Sequence, residues 1–182
     1  PEIPADQYNN VARFLQSQGF KEEALAVSQD PDQKFDLALQ LSKLDIAQQL
    51  MQENFVTDDS TDTQHKWKQL ADLALADSKL QLAEECMVSA GDLSGLLLMY
   101  TAAGNAEGMV KLSEMAAESG RNNVAFLAYM LLGEVEKANE LLIKTGRLPE
   151  AAFFARSYLP SEVTRMVQLW KEDLEKVSKR AA

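Results

Sequence analysis

Residues 133–151 read Gly-Glu-Val-Glu-Lys-Ala-Asn-Glu-Leu-Leu-Ile-Lys-Thr-Gly-Arg-Leu-Pro-Glu-Ala. Gly133 is followed five positions later by Ala138, and thirteen residues on the phrase returns as Gly146 and Ala151. A glycine there ends one helix in a left-handed cap, and the small residue that follows lets the next helix pack closely. Thirteen residues are one helix plus its turn. Working outward, the same phrase occurs at Gly19…Ala24, Ser42…Ala47, Ser78…Ala83 and Gly104…Met109, and small residues at 78, 91 and 104 keep the thirteen-residue step. Two such steps make a hairpin of about 26–30 residues, which buries its apolar face only by stacking on a neighbour. The spacing predicts an all-α chain: a right-handed α-solenoid of stacked antiparallel helix hairpins, tetratricopeptide-like. The window from Trp67 to Ala90 partly fits the tetratricopeptide pattern through Trp67, Leu70, Ala83 and Ala90.

Composition agrees. The chain has 182 residues, 46% of them apolar and 25% charged, with only 8 Gly and 5 Pro. That is ordinary for a soluble globular chain and too poor in turn residues for a β-sandwich. Helices are predicted over 5–18, 21–29, 31–42, 44–54, a stripe from Trp67 to Leu75, then 79–90, 93–103, 105–119, 121–132, 134–145, 148–158 and 160–178. Asp30-Pro31 marks a helix start. The polar stretch Thr57-Asp58-Asp59-Ser60-Thr61-Asp62-Thr63 reads as an exposed acidic loop at 57–63. Residues 1–182 are taken as a single α-solenoid domain. The opening Pro1-Glu2-Ile3-Pro4 lacks an initiator Met and suggests a fragment of a longer chain. The longest apolar run, Val124 to Leu132, is far short of the roughly 20 residues of a membrane span. Apolar all round, it should be enclosed by neighbouring hairpins, with Phe126 in the core.

Charge is uneven. The net value is −10, yet five of the six arginines (Arg121, Arg147, Arg156, Arg165 and Arg180) lie in the last third. An acidic body excludes generic nucleic-acid binding, which needs clustered Lys and Arg. No catalytic constellation stands out. His65 is the only histidine and Cys86 the only cysteine; a metal site needs three or four ligands, and a lone Cys forms no internal disulfide. His65 reads as a surface residue and Cys86 as core packing. Gly91-Asp92-Leu93-Ser94-Gly95 lacks the Lys-Ser/Thr of a phosphate loop. We therefore expect no enzyme activity, cofactor or metal.

Several phrases carry a family likeness. They are Lys66-Trp67-Lys68-Gln69-Leu70-Ala71, Arg121-Asn122-Asn123-Val124-Ala125-Phe126, Thr145-Gly146-Arg147-Leu148-Pro149-Glu150-Ala151-Ala152 and Ala155-Arg156-Ser157-Tyr158-Leu159-Pro160-Ser161. With Gln18-Gly19-Phe20-Lys21 and Phe35-Asp36-Leu37-Ala38-Leu39-Gln40-Leu41, the chain resembles the coatomer beta-prime family of the COPI vesicle coat over nearly its whole length. The resemblance implies an α-solenoid that follows two WD-repeat propellers and pairs with the solenoid of the coatomer alpha subunit in the outer layer of the coat. It further implies work in Golgi-to-endoplasmic-reticulum retrograde and intra-Golgi transport. The place would be cytoplasmic, peripheral on the cytosolic face of Golgi membrane and coated vesicle, with membrane contact only through the assembled coat. Di-lysine cargo tails are read by the propellers, so no cargo residue carries over. A helical-repeat adaptor that binds peptides is the alternative.

In the last helix Val163, Met166, Val167, Trp170, Leu174 and Val177 recur at steps of three and four. Interfaces favour Trp and Arg. Arg147, Arg156, Arg165 and Trp170 are therefore the candidate docking residues for the alpha-subunit solenoid, with Trp170 otherwise closing the chain's own core.

Overall fold

The computed structural model describes residues 5–55 and 60–177. The described residues form twelve α-helices and no strand: α1 (Ala5–Ser17), α2 (Lys21–Val27), α3 (Pro31–Gln40), α4 (Leu44–Asn54), α5 (Thr61–Ala76), α6 (Leu80–Ser89), α7 (Leu93–Ala103), α8 (Ala106–Glu118), α9 (Asn122–Leu132), α10 (Val135–Lys144), α11 (Leu148–Tyr158) and α12 (Val163–Val177). A 3-10 turn, Pro160–Glu162, joins the last two. The chain divides into two compact units, Pro1–Asp92 and Leu93–Ala182. Inside each unit every helix packs on its neighbours in sequence. That is the contact pattern of a helical repeat, in which local hairpins supply most of the core.

The recurring phrase is a structural unit. Gly133 (φ +75°) and Gly146 (φ +73°) are left-handed, and so are Ser42 (φ +54°) and Ser78 (φ +59°). At each, the next residue's N–H reaches back to close the helix: Glu134 donates to the Tyr129 carbonyl at 2.9 Å and Arg147 to that of Leu142 at 2.8 Å. Lys43 bonds Ala38, and Lys79 bonds Ala74, in the same way. These are Schellman closures, which satisfy carbonyls that a helix end leaves unpaired. The small residue five positions on then begins the next helix, Ala138 donating to Glu134 and Ala151 to Arg147. Ala24, Ala47, Ala83, Ala138 and Ala151 are all fully buried, and Met109 nearly so. A methyl group is what the close helix crossing admits.

The N-terminal core is built from Phe35, Leu37, Leu44, Met51 and Leu70, all buried; each such side chain contributes about 1.5–3 kcal/mol over an exposed one. The Asp30 carboxylate accepts from the Asp32 N–H at 3.1 Å with Pro31 opening α3, as the Asp-Pro pair predicts. The stretch read as an acidic loop differs. Residues 57–59 lie outside the described residues, but Ser60 caps α5 by accepting from the Thr63 N–H at 3.2 Å, and Thr61–Thr63 are its first turn. Thr63 is buried. A serine three residues before a helical N–H makes a cap, and the polar composition hid it.

The run from Val124 to Leu132 also departs from expectation. In α9 only Ala125 and Ala128 are buried; Phe126 is half-buried, and Leu127 and Leu131 face solvent. Alanines at i and i+3 bring the neighbouring helices close on one side, and among the described residues Leu127 and Leu131 on the other side stay exposed.

Candidate partner-binding surfaces

The four residues singled out from sequence all lie on or beside the α11–α12 hairpin, in three different settings. Trp170 is half-buried. It packs against the cluster of Leu142, Ala151, Ala152, Ala155, Leu159 and Met166, and its ring lies 5.9 Å from that of Phe153. Phe153 is 61% exposed, so Trp170 closes the core from one side and supports a protruding aromatic on the other. Arg165 binds two carboxylates, Glu162 at 3.0 Å and Glu140 at 3.1 Å, and both hold its guanidinium above its ordinary pKa, Glu162 first. It ties α12 to α10. Arg147 precedes α11, and its Nε donates to Glu150 at 3.2 Å. The Glu150 carboxyl is lowered first by its own backbone N–H and then by Arg147. Arg156 is exposed and has no ion pair among the described residues. Of the three arginines, it is the one whose charge a partner would find unneutralised.

A second surface lies on α7 and α9, which touch one another. Their sequences, LSGLLLMYTAA and NNVAFLAYMLL, contain no charged residue. Leu98 is 72% exposed, Leu127 50% and Leu131 56%. Leu127 and Leu131 stand one helical turn apart, so they share a face. Single exposed leucines need no explanation; a pair one turn apart on a helix without charge, beside a second uncharged helix that exposes its own, does.

In the N-terminal unit a cleft of about 310 Å³ opens among α4, α5 and α6, lined in part by Gln48, Gln52, Gln64, Trp67, Glu85 and Cys86. Cys86 is wholly buried, and burial, with a smaller push from Glu85, raises its thiol to about 12. It is a neutral thiol at physiological pH, whereas a nucleophile or metal ligand must be the thiolate. His65 is exposed and shares a 3.1 Å hydrogen bond with Gln69 one turn along α5. Lys66, the next residue, is gripped at 2.6 Å by both Asp32 and Asp62, with its ammonium 4.6 Å from the centre of the Phe55 ring. These contacts stitch α3 to α5.

A family model described as the COPA/B TPR domain matches residues 1–171. The chain belongs to the COPA/B TPR domain family. Over all 182 residues it is 53% identical to coatomer subunit beta'-3 of Arabidopsis thaliana and 53% identical to coatomer subunit beta' of Homo sapiens. It is 52% identical to coatomer subunit beta'-1 of Oryza sativa subsp. japonica. In each case the whole of this chain aligns with 19% of the relative's length, so it spans about a fifth of the curated relatives it matches.

Within this COPA/B TPR domain, the α7–α9 row is the feature that sequence reading missed. Its signal was present as two helices free of charge. Apolarity all round is shared by enclosed helices and by helices awaiting a partner, and periodicity alone does not separate them. No helix of the described residues is long and apolar enough to cross a membrane.

Proposed function

We infer that this COPA/B TPR domain is a structural element of a COPI-type vesicle coat, a helical strut that pairs with the helical solenoid of the coatomer alpha subunit. The observation that carries this reading is 53% identity to coatomer beta' subunits along all 182 residues. The uncovered apolar row on α7 and α9 and the unpaired Arg156 support an interface role. In this role the domain works at the cytosolic face of Golgi membranes, held there by the rest of the coat, in retrograde and intra-Golgi transport.

The test is direct. The purified chain is mixed with the separately expressed helical segment of the alpha subunit and followed by size-exclusion chromatography and calorimetry. A stoichiometric complex is expected. Independent elution at micromolar concentrations overturns the pairing.

A further inference from the structure

Resting on the coat-scaffold reading, we propose that the α7–α9 face seats a helix of the partner solenoid, one that presents an uncharged aliphatic stripe. Three observations locate and describe the occupant. Neither helix carries an Asp, Glu, Lys or Arg, and interface centres are depleted of charge relative to ordinary surface. Leu98, Leu127 and Leu131 protrude at 72%, 50% and 56% exposure. Beside Leu131 lies a depression of about 190 Å³, bordered by Tyr100, Ala106, Met109 and Leu132 and by the polar, uncharged Thr101 and Asn105. Knobs next to a hole are what one helix needs to receive another.

Charge selects among the possible occupants. A charged peptide laid on this face would lose the hydration of its ions with nothing to pair them. A membrane surface would find no Lys or Arg on either helix to meet anionic headgroups. A second copy carries the same net charge of −10, and that repulsion opposes self-association. An uncharged stripe with aliphatic residues one turn apart fits both the leucine row and the depression. The α11–α12 edge also exposes apolar side chains, Phe153, Tyr158 and Val167, but it is flanked by charge, and two of its three arginines are already paired within the unit.

The experiment uses the 182-residue chain and the purified alpha-subunit helical segment as probe, with affinity measured by calorimetry. Leu127→Asp/Leu131→Asp alters two exposed side chains and is expected to weaken binding at least about tenfold, with helicity and melting midpoint near those of the wild type. Ala106→Trp fills the depression without adding charge and is expected to weaken binding severalfold. Should the double variant lose helicity, Ala106→Trp and Leu98→Gln carry the decision. Wild-type binding that stays within twofold in these variants overturns this inference and leaves the coat pairing standing. Failure of the wild type to bind overturns both. A wild-type dimer in sedimentation that the Asp substitutions dissolve assigns the face to a second copy, and flotation with phosphatidylserine liposomes lost in the same variants assigns it to lipid; either result overturns the proposal.

Discussion

At the left-handed turns of the N-terminal unit two of the four residues are serine, Ser42 and Ser78, beside Gly19 and Gly91; in the C-terminal unit all four, at 104, 120, 133 and 146, are glycine. The hydrogen bonds around them are nonetheless the same. The conformation is required, and glycine is merely its cheapest occupant. Charge divides the units differently: residues 1–92 hold 17 acidic and 7 basic side chains, residues 93–182 hold 11 of each. The acidic unit has the larger set of fully buried bulky side chains, while both units leave apolar side chains in solvent: Phe14, Phe20 and Leu80 in the first, Leu98, Leu127 and Leu131 in the second.

The largest expected effect tests that contrast in packing. Phe35→Ala removes a fully buried ring and should cost about 3–5 kcal/mol, whereas Phe126→Ala, half-buried in α9, should cost about half as much; chemical denaturation of both variants measures the difference. Equal costs would show that α9 is as enclosed as α3. Next come the turns. Gly146→Ala should lose about 1–2 kcal/mol because a Cβ disfavours its positive φ, while Ser78→Gly should gain about 0.5–1 kcal/mol by relieving the same strain. A destabilised Ser78→Gly would mean that the serine hydroxyl holds the turn.

A buried amide offers a third test. Asn139 is buried in the C-terminal unit, its Nδ2 lies 3.3 Å from the Met166 sulfur, and its Oδ1 has no hydrogen-bond partner among the described residues. Asn139→Leu should be neutral or stabilising by up to about 1 kcal/mol, since it removes an unpaired buried acceptor. A loss larger than that would reveal an ordered water on the oxygen.

The smallest effect belongs to the acidic unit. Burial lifts the Asp36 carboxyl above its usual range; Lys66 opposes this, and Asp32, Asp62 and Asp30 add to the rise. A raised carboxyl binds its proton more tightly in the folded state, so its contribution to stability falls as pH climbs through the interval above the ordinary carboxylate value. Asp36→Asn should therefore raise the melting midpoint slightly at pH 7 and leave it unchanged at pH 3. A midpoint lowered at pH 7 would show instead that Lys66 needs this carboxylate.

The phrase that recurs after thirteen residues between Gly133 and Ala151 determined the helical repeat without coordinates, because a left-handed closure and a buried methyl five residues later are local demands that few residue types meet. Asp30-Pro31 announced its helix for the same reason. Ser60 escaped because a cap and a loop share polar composition, and they differ only in whether the hydroxyl faces an N–H. Arg165 and Arg156 looked alike as letters. Their partners decided between them, since Glu140 is 25 residues from Arg165 in sequence and 3.1 Å away in space. Leu127 and Leu131 looked like core for a related reason. Hydrophobicity is a property of a residue, whereas burial is a property of what lies opposite it, and only tertiary packing says that none of the described residues covers these two.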